Sequence, residues 1–226
     1  MPVTDSMISD FTVVDPIILG SNSPRRRELL SLIVPSERII VRPPADSNEA
    51  GFEGLHDIDS IRERVCSIAA GKMEQLLSVC GNLNWQFLIT ADTIVVATDS
   101  DGTPVVIGKP DGTDWKQTVR HWFRNYYSNQ SHEVMTAVCL RKPDGSVCQL
   151  VERTTLHFRD VTDGMLEWYI QTEEPLGKAG GYGLQGAGSL FVKSVEGSLS
   201  NVIGLPLEAV REILREWNLL AIPSTS

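Results

Sequence analysis

Asp92 lies inside Leu88-Ile89-Thr90-Ala91-Asp92-Thr93-Ile94-Val95-Val96, a carboxylate in an apolar run where burial without a partner is costly. Two readings stand side by side. In one, the run sits at an edge or strand end and the carboxylate meets water. In the other, a rigid strand holds Asp92 as a general base or metal ligand, with Thr93 beside it to orient a ligand or cap a turn. A second stretch concentrates positive charge: Ile17-Ile18-Leu19-Gly20 reads as a strand opening into Ser21-Asn22-Ser23-Pro24-Arg25-Arg26-Arg27-Glu28-Leu29-Leu30. Ser23 suits an N-cap and Pro24 the first helical turn. Helix N-termini attract anions, and guanidinium groups grip phosphate oxygens in bidentate fashion. A basic first turn opposes the helix dipole at a cost of about a few tenths of a kcal/mol unless an anion sits there. The stretch therefore predicts a phosphate site, against the alternative of a capped surface helix.

A third stretch is rich in glycine: Gly177-Lys178-Ala179-Gly180-Gly181-Tyr182-Gly183-Leu184-Gln185-Gly186-Ala187-Gly188. Glycines let a backbone approach a ligand closely, and Lys178 could reach a phosphate. The interleaved Tyr182, Leu184 and Gln185 distinguish it from a flexible linker, and the spacing is not that of a Walker loop. Lys72 interrupts the apolar stripe of a helical segment and reads on its own as a snorkelling lysine. Lys109, in Ile107-Gly108-Lys109-Pro110, is a strand-end lysine held extended by the proline after it.

The elements that must position these groups follow from periodicity. Ile39 to Val41 reads as a strand before the loop Arg42 to Gly51. Ile61, Val65, Ile68, Ala69, Met73, Leu76 and Leu77 give helical spacing between Asp57 and Leu77. Phe87 to Ala97 is strand-like, and Asp99-Ser100-Asp101-Gly102 is a hairpin turn into Val105-Val106-Ile107. A helix capped by Thr113 carries Trp115, Val119, Trp122 and Phe123. Val134 to Leu140 and Val147 to Phe158 form a strand pair across Lys142-Pro143-Asp144-Gly145. A helix capped by Thr162, a strand from Leu190 to Val195 and a helix from about Pro206 to Trp217 complete the chain. Helices mixed with strands and hairpins predict an α/β fold with a mixed sheet. The expected organisation is a leader over 1–15, a single domain over 16–221 and a tail over 222–226.

The 226 residues are 42% hydrophobic and 22% charged, as in ordinary soluble globular proteins. A net charge of −9 argues against broad binding to nucleic acid or anionic membranes, so the basic triplet is local and suits a small anion. The four cysteines have no C-x-x-C spacing and the first fifteen residues lack Lys and Arg, which points to reduced thiols in the cytoplasm. The four scattered histidines signal no zinc site, and no apolar run reaches membrane-span length. Oligomeric state is left open, a homodimer included.

In order along the chain, these stretches resemble the motifs of the Maf family (septum-formation Maf-like nucleoside triphosphate pyrophosphatases). The opening segment is similar to S-x-S-P-R-R-x-E-L-L, Leu88 to Val96 to A-D-T-[IV]-V, and Gly108-Lys109-Pro110 to G-K-P. Ser131-His132-Glu133-Val134-Met135-Thr136-Ala137-Val138 resembles T-H-x-V-x-T-x-V, Glu174 to Gly186 resembles E-P-x-D-K-A-G-x-Y-G-[IL]-Q-G, and Asn201 to Leu207 resembles N-V-x-G-L-P-L. The resemblance implies a mixed, strongly twisted sheet flanked by helices, with two lobes around a central cleft, as in inosine triphosphate pyrophosphatases. It implies hydrolysis of nucleoside triphosphates to monophosphate and pyrophosphate with a divalent cation, Mg²⁺ or Mn²⁺.

Position by position, the resemblance gives Asp92 and Lys109 catalytic roles. It gives Ser21, Ser23, Arg25, Arg26, Lys72, Thr93, Glu174, Lys178 and Gln185 substrate contacts, and gives Asp92 with Glu49 the metal. Arg25, Thr93 and Gln185 match the dTTP/UTP subgroup, since a glutamine amide both donates and accepts, as the O4 and N3–H edge of uracil or thymine requires. Asn48-Glu49 and Gly177 stand where the family more often has Asp-Glu and an aspartate. The alternatives are a 7-methylguanosine or other modified nucleoside triphosphate as substrate and, from another class, a nucleotide-binding regulator of cell division.

Overall fold

The computed structural model describes residues 15–44, 51–80 and 83–220. Nearly all of the expected leader, the expected tail and the acidic loop carrying Glu49 lie outside the described residues. Seven strands form one mixed sheet: β1 (Ile17–Gly20), β2 (Ile39–Val41), β3 (Phe87–Thr98), β4 (Pro104–Ile107), β5 (Ser131–Arg141), β6 (Val147–Phe158) and β7 (Val192–Glu196). Their order is β2-β1-β3-β5-β6-β7, with β4 added to β3. β1 runs parallel to β2 and β3, whereas the β3–β4, β3–β5, β5–β6 and β6–β7 pairs are antiparallel. The expected α/β fold with a mixed sheet flanked by helices is what the chain adopts.

β1 is apolar throughout because both of its faces are covered, with Ile17, Ile18 and Leu19 fully buried. On one face lies α2 (Ile58–Cys80), whose stripe Ile61, Val65, Ala69, Met73, Leu76 packs on Ile18, Leu88, Ile94 and Met135. The other face takes α1 (Pro24–Leu30) and the last helix, α6 (Leu207–Glu216), with Leu29, Leu30, Val210 and Leu214 against Ile17, Leu19 and Ile89. Beyond the far end of β3, an aromatic cluster forms a third apolar body from α3 (Trp115–Trp122), a π-helical turn at Phe123–Tyr127 and α4 (Asp163–Gln171).

Most local signals act as their chemistry dictates. Ser23 and Thr162 cap α1 and α4 through their side-chain oxygens. Other expectations shift. The N-cap of α3 is Asp114 rather than Thr113, because the amides of Gln117 and Thr118 turn to the Asp114 carbonyl. Pro206 precedes α6 instead of opening it. The strand expected from Leu190 starts at Val192, after a 3₁₀ turn over Ala187–Phe191. A further short helix, α5 (Leu199–Ile203), lies between β7 and α6, where the sequence alone predicts no element; Ser198 caps it and Gly204, at φ 128°, ends it.

Candidate active site

β3 has one edge that changes partner along its length. β1 pairs with Phe87 to Thr90 and β4 with Val95 to Thr98, while β5 covers the opposite edge from Leu88 to Val96. Among the described residues no strand pairs with 91–94 on the first edge. Asp92 and Thr93 stand in this notch, so the carboxylate is central in the strand yet open to a ligand. Alternation sends their side chains to opposite faces. Asp92 Oδ1 meets Lys72 Nζ of α2 at 2.6 Å, which gives the lysine in the apolar stripe a partner.

Thr93 faces a polar network centred on Arg26. The Arg26 guanidinium donates to Ala91 O (2.8 Å), Ser21 Oγ (3.1 Å), Thr93 Oγ1 (2.9 Å) and Gly204 O (2.9 Å). It thereby satisfies a β3 carbonyl where the ladder is interrupted, and ties together α1, β3 and the end of α5. Ser21 Oγ also accepts from the Ser23 amide at 3.2 Å, leaving its own proton to donate. Thr93 is the opposite case. Its hydroxyl accepts from Arg26, and its proton is directed to Thr136 Oγ1 (3.0 Å) or Gly204 O (3.5 Å).

The glycine-rich loop forms the facing wall, held from behind by buried aromatic residues. Tyr127 OH donates to Gly180 O at 3.0 Å, Tyr169 OH lies 3.3 Å from Gly181 O, and Tyr182 OH meets His132 Nε2 at 2.7 Å. The π-helical turn, closed by Ser128 N to Phe123 O at 2.9 Å, seats Tyr127 for this contact. Burial raises the Tyr127, Tyr169 and Tyr182 hydroxyls well above the usual phenol range. It also pushes the His132 imidazole down to about 3. Gly180, at φ 75°, has no room for a Cβ, which would come within 2.6 Å of Val95. Its amide donates to Gly108 O at 2.8 Å, which sets Lys109 beside the loop.

Notch, α1 entrance and glycine-rich loop enclose a cavity of about 650 Å³, a size that suits a small organic ligand. Among the described residues, five basic side chains line it (Arg25, Arg26, Lys72, Lys109 and Lys178) against two carboxylates, Asp92 and Glu174. That excess, in a chain of net charge −9, selects an anion at this place and not over the surface. Burial pushes the Lys178 ammonium below the ordinary lysine value; Glu174 opposes the shift and Arg25 adds to it.

The family model described as "Maf-like protein" matches residues 16–217. The chain belongs to the Maf family. A "dTTP/UTP pyrophosphatase" from Shewanella sp. (strain MR-7) is 37% identical over 203 residues, covering 88% of this chain and 97% of that protein. A protein of the same description from Pyrococcus furiosus is 33% identical over 201 residues, covering 88% and 93%. Among solved structures, a nucleoside-triphosphatase / dITP/XTP pyrophosphatase from Mycobacterium abscessus aligns with 92% of this chain and all of its own. Its identity is 11% and its TM-score 0.40, a likeness too slight to bear on fold or function.

In this Maf chain every expected site residue within the described segments lines the one cavity: Ser21, Ser23, Arg25, Arg26, Lys72, Asp92, Thr93, Lys109, Glu174, Lys178 and Gln185. Glu49 falls outside the described residues. Two of them face the protein more than the cavity. The Arg26 guanidinium is engaged by four protein oxygens, and the Glu174 carboxylate by the amides of Ala187 and Gly188 and by Tyr169 OH. Sequence reasoning missed the supports of the site, His132, Tyr127, Tyr169 and Gly204. The signal for His132 was its place in an apolar alternating strand, where an imidazole needs a buried partner.

Proposed function

We propose that this chain hydrolyses nucleoside triphosphates to the monophosphate and pyrophosphate, with dTTP and UTP preferred. The observation that carries the reading is the strand carboxylate Asp92 standing in a cavity where, among the described residues, cations outnumber carboxylates five to two. Asp92 takes the proton from the water that attacks the α-phosphorus, in a position set by the β3 strand and Lys72. Arg25, Lys109 and Lys178 hold the β- and γ-phosphates and neutralise the charge that grows on the departing pyrophosphate. Ser21, whose hydroxyl oxygen accepts from Ser23 and Arg26, donates its proton to a phosphate oxygen.

Asp92 is the donor at the notch that fits a divalent cation. Among the described residues no cluster of three or more His, Cys, Asp or Glu could hold a metal, and Mg²⁺ commonly needs only one or two carboxylates beside phosphate oxygens and water. Asp92, with Glu49 from the loop, would hold it, and when bound it supplies charge neutralisation at the phosphates. Base choice rests on Gln185, whose amide can donate to O4 and accept from N3–H, together with Arg25 and Thr93 of the same cavity. The relatives described as dTTP/UTP pyrophosphatases support the same preference.

Pyrophosphate release across a nucleotide panel, 7-methylguanosine triphosphate included, with Mg²⁺ or Mn²⁺ tests the reading. UTP and dTTP are expected to lead. A protein that turns over no nucleotide would be a binder, and the enzyme reading would fall.

A further inference from the structure

Glu174 lies three residues past α4, at the point where the chain turns into the glycine-rich loop. Its carboxylate accepts from Ala187 N at 2.6 Å, Gly188 N at 3.2 Å and Tyr169 OH at 3.2 Å. Its main-chain carbonyl accepts from Lys178 Nζ. Gly186, next to Gln185, lies so close that a Cβ there would run into the Glu174 carboxylate. One residue thus fastens the ammonium at the phosphate side of the loop and the backbone that follows Gln185. Three donors already converge on the carboxylate, and a triphosphate would repel it.

We infer that Glu174 is a positioning residue for base selection, one that fixes the span between Lys178 and Gln185 and makes no contact with the nucleotide. The inference rests on the proposed nucleotide substrate, because that span would separate the phosphates from the base. Tyr169 belongs to the same device: its ring is fully buried and its hydroxyl reaches both Glu174 and Gly181 O, behind the cavity wall.

Two variants test this against direct contact. Glu174→Gln places an amide NH₂ against one of the two backbone N–H donors, which a carboxylate would have accepted. Tyr169→Phe removes one hydroxyl without altering any group that lines the cavity. Steady-state kcat and KM are measured for UTP and GTP in each. The UTP:GTP ratio of kcat/KM is expected to fall about tenfold in Glu174→Gln and about threefold in Tyr169→Phe, chiefly through KM for UTP.

A merely structural role would lower both nucleotides together and leave the ratio unchanged, which overturns the inference. A shifted ratio in Glu174→Gln with none in Tyr169→Phe would assign Glu174 to direct contact and overturn it as well. Should Glu174→Gln fail to fold, the ratio in Tyr169→Phe decides alone. Absence of turnover by the unmodified protein would instead sink the underlying nucleotide reading.

Discussion

Lys72 Nζ lies 2.6 Å from Asp92 Oδ1, joining the middle of the long helix α2 to the notch along β3, with the two side chains only 11% and 14% exposed. A carboxylate so shielded needs a cation, and a buried pair broken on one side leaves an uncompensated charge. The pair therefore lets a carboxylate stand inside a strand. Asp92→Asn keeps the shape and removes the proposed base, so kcat is expected to fall at least about a hundredfold with a smaller change in KM. Lys72→Met should lower kcat too, and raise KM because a cation is lost. Pyrophosphate release by both variants checks this, and an Asp92→Asn enzyme of near-normal kcat would remove Asp92 from the chemistry.

Arg26 and Arg25 are adjacent in sequence and differ in work. Arg26 bridges α1, β3 and the α5 end through four acceptors; a lysine ammonium cannot reach them all. Arg26→Lys should leave buried carbonyls unmet and lower stability by roughly 2–4 kcal/mol. Arg25→Lys should stay within about 0.5 kcal/mol of the parent while weakening triphosphate binding. Urea unfolding of the two variants gives the comparison, and equal losses would refute the strut role.

How much of this was legible beforehand can be traced residue by residue. Caps, hairpins and the alternating or helical stripes are local, so Ser23, Thr162, the β5–β6 turn and α2 could be read directly. The cast of the site was also readable, because its motifs are short. Its partnerships were not. Lys72 reads as a snorkelling side chain until β3 comes to lie beside α2, and Arg26 reads as a phosphate ligand until Gly204 arrives from 178 residues away. The notch itself depends on β1 and β4 sharing one edge of β3, a property of topology that no window of sequence contains. α5 escaped notice because five residues give little periodicity.

Gln185 follows a run of glycines whose backbone is pinned by buried hydroxyls, so its amide is presented from a fixed support. Replacing the amide by a carboxylate removes its donor towards O4 and favours purine N–H groups. In Gln185→Glu the preference for UTP over 7-methylguanosine triphosphate should fall by at least about tenfold. An unchanged preference in the nucleotide panel would sink the role of this amide.

Lys178 gives the alkaline side of the profile. Burial lowers its pKa from the ordinary 10.5, with Arg25 acting in the same direction. In the proposed function the charged form binds phosphate, so affinity is expected to be full below that lowered pKa and to be lost as pH rises through it. The loss should show in kcat/KM, which reports the free enzyme, more than in kcat. Lys178→Arg keeps the charge to higher pH and should flatten the alkaline limb. An identical limb in the arginine variant would assign it to another group.

His132 gives the acid side, in stability. Burial lowers its pKa from 6.5 to about 3, so between those values the unfolded chain binds more protons than the folded one. Stability then rises with pH across the window and levels off above 6.5. The slope reaches at most about 1.4 kcal/mol per pH unit, so acidification from pH 7 to about 5 should remove about 2 kcal/mol. Carboxylates held below their ordinary values, Asp144 from 3.8 and Glu167 and Glu208 from 4.5, act mainly below about pH 5 and leave the span from pH 7 to about 5 to the imidazole. Urea unfolding of the parent and of His132→Gln at both pH values separates the effects. The variant is less stable at pH 7, because Tyr182 loses its partner, but its stability should change little on acidification. A variant with the same slope as the parent would show that the imidazole is not the group titrating.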